Sequence, residues 1–364
     1  MANAYDLVDF LLLIIKLRFY GLDGPVLNWL KSYLTGRKQK VILDHTIRSF
    51  YLSVVTGVPQ GSILGPLLFL IYINDLPMII PRGLGLFILF VDDTNFVLSE
   101  DDKKLLLDAF KTIVDLITRW VKANGLKLNE HKTQILNFHA NYSNSSYADT
   151  SYLTKYFTVQ STCTFLGLQI DHSLVWKNHV EFLVTKLSKA YFAILTLSGI
   201  VDYSVLKQVY YAYVYSHITY GVIFWGNSSL SIKVFRKQKE IVRVMMGATK
   251  RASCQPLFRE SGILPLPSIF ILYSLLFVKM NWEEFNMGNH NHNYNTRNSK
   301  ILQFPVHRKA FFEKTPYYNS MRLFNKLPKE VQEEPSTNKF KRILLDFLKT
   351  NCFYSVQEYM NHQF

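Results

Sequence analysis

Two adjacent carboxylates, Asp92 and Asp93, follow an apolar run at positions 86–91. Two carboxylates held together at the end of a buried strand repel each other, and burial adds to the cost of ionising both. A divalent cation removes that penalty, because carboxylate oxygens are donors that Mg²⁺ takes in proteins. The pair therefore indicates a candidate catalytic and metal site. An ordinary hairpin turn is the alternative, since Asp, Thr and Asn at 92–95 also suit a turn.

A second chemical signal lies in the loop at 57–62, which reads Gly-Val-Pro-Gln-Gly-Ser. A glycine-rich turn at a helix N-terminus offers backbone N–H groups to phosphate, and the amide of Gln60 can hydrogen-bond a base, a sugar or the backbone. Pro59, Gln60 and Gly61 are therefore candidate nucleotide- and template-binding residues. Taken alone, Pro-Gln-Gly is also an ordinary loop sequence. Together with the carboxylate pair and a basic chain, it favours nucleotidyl transfer.

The charge of the chain points to the same class of partner. Its 364 residues include 41 Lys and Arg against 27 Asp and Glu, for a formal net charge of +14. Such an excess favours a polyanionic partner, because each cation near a phosphate releases counterions; a merely soluble basic surface is the other interpretation. The candidate nucleic-acid-binding residues are Arg37 and Lys38 in a basic turn, and Arg236, Lys237, Lys239, Arg243, Lys250 and Arg251 in a later cluster.

Composition excludes several other classes. Aromatic residues make up 15% and hydrophobic residues 49% of the chain, so disorder does not describe it globally. The three cysteines are far apart in the sequence, which indicates neither a disulfide framework nor a paired-cysteine zinc site. No apolar run reaches the roughly 18 residues of a membrane-spanning helix. We therefore expect no membrane partner, and no protein partner is evident.

Regular elements must hold the candidate residues in place. Residues 86–91 are apolar at every position, which is typical of a strand buried on both faces; with a second strand at 96–98, the turn is predicted at 92–95. Apolar spacing predicts a helix over 64–73, directly after the Gln60 loop, and another between a cap at Ser99 and Gly125. Residues 127–129 and 134–138 are predicted to form a hairpin.

The remaining chain divides by pattern. Beyond Trp176 the apolar spacing is helical, which predicts a mostly α-helical second region. The polar, asparagine-rich segment at 286–299 is predicted as a linker. The predicted parts are 1–175, 176–285, 286–299 and a C-terminal module at 300–364.

Taken in order, these motifs resemble the reverse transcriptase of jockey-like non-LTR retrotransposons. The sequence at 57–69 is similar to that family's template and nucleotide loop, and the one at 90–94 resembles its catalytic Phe-Ala-Asp-Asp box, with Val91 in the second place. Lys132 lies in a segment that resembles the lysine motif which follows. Three residues resemble the primer-grip hairpin: Phe165, Leu166 and Gly167. Weaker matches extend through most of the remaining chain.

The resemblance implies an α+β fold, with a partial reverse transcriptase palm (a small antiparallel sheet with packed helices) followed by a mostly α-helical thumb-like region. It implies RNA-directed DNA polymerisation with two Mg²⁺ ions, Asp92 and Asp93 being the catalytic metal ligands. Lys132 would neutralise or protonate the departing pyrophosphate, although a solvated surface lysine is an equal interpretation. The implied partners are an RNA template, a DNA primer or target and deoxynucleotide triphosphates, in the nucleus. A non-catalytic, basic nucleic-acid-binding protein is the alternative.

One departure from the family pattern bears on activity. The family's remaining metal carboxylate opens a segment of the form Asp-x-x-x-Ala-Phe-Asp, and residues 3–6 resemble the end of that segment. Counting back from Asp6 places that carboxylate before Met1. We therefore expect an N-terminally truncated polymerase with weak activity or none. Asp6 matches the trailing aspartate, which is not the principal metal ligand.

Overall fold

The computed structural model describes residues 4–43, 47–138, 157–286, 302–308 and 310–364. The chain forms two compact units, each with its own hydrophobic core. The N-terminal unit comprises Met1–Ile135 and Asn144–Val159, and the C-terminal unit comprises Leu136–Ser143 and Gln160–Phe364.

The N-terminal unit combines helices with short antiparallel strands. Its α-helices are α1 (Phe10–Phe19), α2 (Gly24–Leu34), α3 (Leu64–Ile73) and α4 (Lys103–Ala123), with a 3₁₀ turn at Leu76–Ile79. Its strands are β1 (Lys38–Gln39), β2 (Ile42–Leu43), β3 (Ile47–Arg48), β4 (Leu52–Ser53), β5 (Leu86–Phe90) and β6 (Asp93–Val97); β7 (Gln134–Leu136) and β8 (Thr158–Gln160) follow. The pairs are β1 with β4, β2 with β3, β5 with β6 and β7 with β8. The predicted helix over 64–73 is confirmed.

The core of the N-terminal unit contains one embedded ion pair. The Nζ of Lys16 on α1 lies 2.7 Å from Oδ1 of Asp75 and donates to the carbonyl oxygen of Tyr72 at 2.6 Å. It also lies 4.8 Å and 4.9 Å from the ring centroids of Tyr72 and Trp120. Burial lowers the pKa of Lys16, and the contact with Asp75 opposes that shift. Lys16 thus joins α1 to the end of α3 and to α4.

The hairpin with the carboxylate pair has a tighter turn than predicted. In the register of β5 and β6, Phe90 lies opposite Asp93, so only Val91 and Asp92 form the turn and the prediction of a turn over 92–95 was wrong. Val91 has φ +54°, a rare conformation for a β-branched residue. A positive φ at the first position of a two-residue turn matches the twist of the flanking strands.

The prediction that residues 86–91 are buried on both faces was also wrong. Phe87 and Leu89 pack against the core, whereas Leu86 and Phe90 on the opposite face are 60% and 56% exposed. Successive strand residues point to opposite faces, and within the described ranges only one face of this two-stranded ribbon is covered. A continuous apolar run cannot reveal which neighbours cover it.

Helix α4 begins later than predicted. Its N-cap is Asp102, whose Oδ1 accepts from the N–H groups of Lys104 (2.8 Å) and Leu105 (3.0 Å), so the predicted cap at Ser99 was wrong. One carboxylate oxygen thus satisfies two N–H groups of the first turn, which have no partner within the helix. The predicted end near Gly125 is confirmed, and that glycine has φ +64°.

The predicted hairpin between 127–129 and 134–138 was wrong. Strand β7 pairs with β8, which follows much later in the chain. The choice of partner for a short strand depends on long-range packing, which local patterning does not encode. The segment at 140–152, whose many Asn, Ser and Tyr residues predict a loop, lies outside the described residues.

The C-terminal unit is mostly helical, as predicted. It begins with the hairpin β9 (Thr162–Phe165) and β10 (Leu168–Asp171). The helices are α5 (Lys177–Leu197), α6 (Tyr203–Tyr210), α7 (Ser216–Thr219), α8 (Val222–Trp225), α9 (Ser231–Met245), α10 (Cys254–Ser261), α11 (Leu266–Met280), α12 (Trp282–Asn286), α13 (Pro316–Phe324), α14 (Lys329–Gln332), α15 (Thr337–Asn351) and α16 (Val356–Asn361). A π-helical turn at Tyr211–Tyr215 joins α6 to α7, and a 3₁₀ turn lies at Ala310–Lys314.

Helix α11 lies at the centre of the C-terminal core and contacts both α13 and α15. Residues 302–364 therefore share one core with residues 176–285, and the compact units do not follow the predicted boundaries at 175 and 300. The predicted linker at 286–299 lies almost wholly outside the described residues.

No single helix in the described ranges is both long and apolar enough to cross a membrane. Helices α10 and α11 reach that length and hydropathy only when taken together, across a 50° bend.

His179 on α5 lies buried among aromatic rings in the C-terminal core. Its ring centroid lies 6.2 Å from that of Trp176 and 5.7 Å from that of Trp225. Its Nδ1 faces the N–H of Gln169 at 3.4 Å, and its Nε2 is buried without a hydrogen-bond partner. Burial lowers the pKa of His179 from 6.5 to about 4. The imidazole is therefore neutral in the folded protein at neutral pH.

This burial predicts an acid-labile core. As pH falls from 6.5 towards 4, the unfolded chain takes up a proton on His179 before the folded chain does, so protonation favours unfolding. Stability present above pH 6.5 should fall by on the order of 3 kcal/mol across this window, and His179→Phe should remove that part of the loss. Urea unfolding at several pH values measures it, with His172→Gln on the neighbouring segment as the control. Equal pH dependence in wild type and His179→Phe would contradict the prediction.

Candidate active site

The Gln60 loop (57–62) is held against the N-terminal segment by a close backbone approach at Gly57. The N–H of Val58 donates to the carbonyl oxygen of Tyr5 at 2.9 Å. Gly57 has φ +87°, and a Cβ atom there would lie 2.8 Å from the Cα of Asp6. Only glycine fits, because a side chain would meet backbone that cannot move aside. The Gln60 loop and residues 5–6 are therefore held in contact by their backbones.

The side chain of Gln60 has a partner in that segment. Its Nε2 donates to Oδ1 of Asp6 at 2.8 Å, and the hydroxyl of Thr56 donates to the carbonyl oxygen of Asp6 at 2.9 Å. Gly61, with φ +81°, has no atom within 4 Å of the position of a Cβ. The backbone at Gly61 is thus open to an incoming molecule, beside a glutamine whose orientation Asp6 sets.

The same loop continues tightly into α3. The Ser62 hydroxyl donates to the carbonyl oxygen of Pro59 at 2.7 Å and accepts from the N–H of Gly65 at 3.0 Å. A Cβ on Gly65 would lie 2.6 Å from that carbonyl oxygen. The three predicted loop residues, Pro59, Gln60 and Gly61, therefore lie at the N-terminus of a helix, where N–H groups favour anions.

Tyr5 connects the Gln60 loop to the carboxylate pair. Its backbone accepts the hydrogen bond from Val58, and its ring centroid lies 4.8 Å from that of Phe69 on α3. Burial raises the pKa of Tyr5, and the negative charge of Asp92 raises it further. The phenol therefore lies within electrostatic reach of the Asp92 carboxylate. Sequence reasoning had placed the loop and the pair near each other only by family resemblance.

The two carboxylates differ in position. Asp92 occupies the second position of the turn and is partly buried, whereas Asp93 begins β6 and is exposed on the same face as Phe90. No group of three or more His, Cys, Asp or Glu side chains in the described ranges is arranged to hold a metal ion. Their oxygens are of the kind that Mg²⁺ takes, but the described part of the chain adds no third carboxylate.

Arg37, predicted to bind nucleic acid, makes internal contacts in the structure. Its Nη2 donates to the carbonyl oxygen of Gly57 and its Nε to that of Leu34 at 3.0 Å. The guanidinium also lies 5.4 Å from the ring centroid of Phe10. Arg37 therefore supports the Gln60 loop from behind, while the neighbouring Lys38 is exposed.

Lys132 lies in a turn after α4. Its N–H donates to both the carbonyl oxygen and Oδ1 of Asn129, at 3.1 Å each. The side chain is exposed, and its role beside pyrophosphate stays a prediction.

The basic cluster of α9 and the following loop divides into exposed and engaged cations. Arg236, Lys250 and Arg251 are exposed. The engaged ones are Lys237, which pairs with Glu240 at 2.6 Å, Lys239, which lies 4.7 Å from the ring centroid of Phe235, and Arg243, whose Nε donates to the carbonyl oxygen of Ala252 at 2.9 Å. Because cations that already have partners lose contacts on binding phosphate, the exposed three are the stronger candidates.

The residues predicted as a primer grip meet at the tip of the β9–β10 hairpin. Phe165 pairs with Leu168, and the turn between them consists of Leu166 and Gly167, with φ +45° and +83°. Two positive φ values are the pattern of a two-residue hairpin turn with the native twist. The structure thus forms the predicted hairpin, and its role stays a prediction.

Sequence reasoning missed two features of the site. It treated Asp6 only as the trailing aspartate of a family motif, whereas its carboxylate is the partner of Gln60. It also gave Tyr5 no role. The available signal was Gly57, since a glycine beside a functional loop often marks a close approach by another backbone segment.

The first part of the chain is similar to a family of known proteins. Residues 1–170 match the family described as "Reverse transcriptase (RNA-dependent DNA polymerase)". The predicted resemblance to this family is confirmed.

The individual relatives are polymerases of mobile elements. The chain is 26% identical over 231 residues to a probable RNA-directed DNA polymerase from transposon X-element of Drosophila melanogaster, which covers 62% of this chain and 25% of that protein. It is 28% identical over 189 residues to the corresponding protein of transposon BS, covering 50% and 20%. It is 26% identical over 170 residues to the RNA-directed DNA polymerase from mobile element jockey of Drosophila funebris, covering 44% and 18%. The matched part of the chain thus spans a quarter or less of these relatives.

The backbone contact at Gly57 predicts a specific loss of stability. Gly57→Ala should destabilise the N-terminal unit by roughly 3 kcal/mol or more, because it combines an unfavourable φ with a clash against Asp6. Gly61→Ala is the matched control: its φ is equally positive but its Cβ meets nothing, so it should cost about 1 kcal/mol. Urea unfolding of both variants measures the difference. Equal losses would show that the approach to Asp6 is not tight in solution.

Proposed function

We propose that residues 1–175 are part of the palm of an RNA-directed DNA polymerase, that the following helical region is thumb-like, and that the site is a remnant, weakly active or inactive, of a site for template-directed nucleotidyl transfer. The observation that carries this proposal is the position of Tyr5. Its carbonyl oxygen accepts a hydrogen bond from the N–H of Val58 in the Gln60 loop, and its phenol lies within electrostatic reach of Asp92. A nucleotide-binding loop and a carboxylate pair are useful together only if one substrate reaches both. The proposed substrates are an RNA template, a DNA primer and deoxynucleotide triphosphates.

In the proposed reaction the oxygen of a primer hydroxyl would bond to the α-phosphorus of the nucleotide as the bond from that phosphorus to pyrophosphate breaks; Mg²⁺, when bound, would supply the positive charge that stabilises the attacking and leaving oxygens. Asp92 and Asp93 would hold the metal. Gln60, oriented by Asp6, would hydrogen-bond the template or the incoming nucleotide, and the open backbone at Gly61 would admit it. The helix N-terminus behind this loop favours the negative charge of the triphosphate.

The donor set supports a weak polymerase or an inactive one. A two-metal site needs carboxylates on both sides of the metals, and the described ranges supply no group of three ligands. Two carboxylates together with phosphate oxygens suffice for a single Mg²⁺. We therefore propose that this chain by itself binds a metal–nucleotide complex but extends a primer poorly.

Nucleotide binding tests the site. Mg²⁺ should strengthen the binding of a deoxynucleotide triphosphate to the wild-type chain, and Asp92→Asn should weaken that binding by about tenfold or more, because one charged ligand of the metal is lost. Isothermal titration with and without Mg²⁺ measures this. Asp101→Asn, which removes an exposed carboxylate near α4, is the control and should leave binding unchanged. Mg²⁺-dependent nucleotide binding that is as strong in Asp92→Asn as in the wild-type chain would contradict the proposed metal site.

Primer extension tests the activity. On poly(rA) with an oligo(dT) primer, the 364-residue chain should give no more product than Asp92→Asn, in either Mg²⁺ or Mn²⁺, because the described residues bring no third metal-binding side chain to the carboxylate pair. Template-dependent synthesis by the unaltered chain alone would overturn this expectation.

A second candidate function is nucleic-acid binding without catalysis. Three exposed cations favour it: Arg236, Lys250 and Arg251. RNA affinity that falls steeply with salt is expected for both candidates. Binding that is unaffected by Asp92→Ala, with no Mg²⁺-dependent nucleotide binding, would favour the second.

A further inference from the structure

The tip of the hairpin β9–β10 is attached to the helical region by the side chain of Tyr220. The Tyr220 hydroxyl donates to the carbonyl oxygen of Leu166 at the hairpin tip. The ring lies against the other tip residue, since a Cβ on Gly167 would lie 3.4 Å from Cε1 of Tyr220. The phenol thus contacts both residues of the turn. The sequence could not predict this contact, because Tyr220 and Leu166 are 54 residues apart.

The backbone of Tyr220 is itself fixed by a hydrogen bond from the core. Its carbonyl oxygen accepts from Nε1 of Trp225 at 3.1 Å, and Trp225 is fully buried. The next residue, Gly221, has φ +60°, and a Cβ there would lie 2.7 Å from the side chain of Leu168. Tyr220 and Gly221 therefore meet the hairpin at the turn and at the start of β10, and they are fixed to the core by an indole.

The opposite end of the hairpin is fixed separately. The Asp171 carboxylate at the end of β10 accepts from the N–H groups of Val175 (2.9 Å) and Trp176 (2.6 Å) and from the Ser173 hydroxyl (2.8 Å). These hydrogen bonds keep the pKa of Asp171 below its ordinary value, although burial acts in the other direction. With its base fixed in this way, the freedom of the hairpin lies at its tip, which Tyr220 restrains.

We propose that Tyr220 is the positioning residue of the primer grip: by fixing the Leu166–Gly167 turn, it sets where the hairpin meets the recessed 3′ end of a primer strand. This inference rests on the proposed function. The tip is accessible to such a contact because Gly167 is exposed, although the Tyr220 ring lies against the position that a Cβ there would occupy. Tyr220 acts through the hairpin and need not touch the primer.

Two measurements on the full chain test the proposal. Tyr220→Phe removes only the hydroxyl, and Tyr213→Phe is its matched control, since Tyr213 is an exposed tyrosine in the preceding π-helical turn. Hydrogen exchange of residues 164–168 in the free protein should accelerate roughly five- to tenfold in Tyr220→Phe, as expected for one lost hydrogen bond, and should not change in Tyr213→Phe. Affinity for an RNA–DNA duplex with a recessed primer end should fall several-fold, while affinity for the blunt duplex of equal length stays the same.

Each outcome decides a separate point. Unchanged exchange in Tyr220→Phe would overturn the attachment of the hairpin. Faster exchange with an unchanged preference for recessed ends would make Tyr220 structural only and overturn its positioning role. If the wild-type chain itself shows no preference for recessed ends, the primer-grip assignment fails, and with it the inference. Failure of Mg²⁺-dependent nucleotide binding at Asp92 would contradict the proposed function, and it is measured separately from these three outcomes.

Discussion

The N-terminal unit depends on a backbone approach that only glycine permits. At Gly57 the loop backbone lies so close to Asp6 that a single methyl group would clash with it. This approach brings Gln60 to the carboxylate of Asp6 and the N–H of Val58 to the carbonyl oxygen of Tyr5. The loop and the N-terminal segment are therefore fixed to each other, and the Tyr5 phenol of that segment lies within electrostatic reach of Asp92.

The C-terminal unit is organised by aromatic packing instead. Trp176 and Trp225 enclose the neutral imidazole of His179 and together support the β9–β10 hairpin. The family match ends at residue 170, inside β10, whereas the whole hairpin belongs to the C-terminal unit by packing. The boundary of sequence similarity and the boundary of the compact unit thus differ. A functional contact made by the hairpin would depend on the helical core behind it.

Positive charge is divided between support and surface. Arg37 and Arg243 donate hydrogen bonds to backbone carbonyl groups, and Lys16 forms an ion pair with Asp75. These members of the 41 Lys and Arg residues are therefore already engaged within the fold and are less available to a polyanion. Exposed residues such as Lys250 and Arg251 remain available, since they lie outside these contacts.

The sequence by itself determined the helices α3 and α4, the division into a mixed first part and a helical second part, and the resemblance of the first 170 residues to the reverse transcriptase family. These features follow from local spacing and short motifs, in which the informative residues are neighbours. Only the tertiary structure decided that Val91 and Asp92 form the hairpin turn, that one face of β5 is open, that Arg37 supports a loop and that Gln60 pairs with Asp6. Each of these depends on which distant segments meet: Gln60 and Asp6 are 54 residues apart, and no local pattern records a contact across that distance.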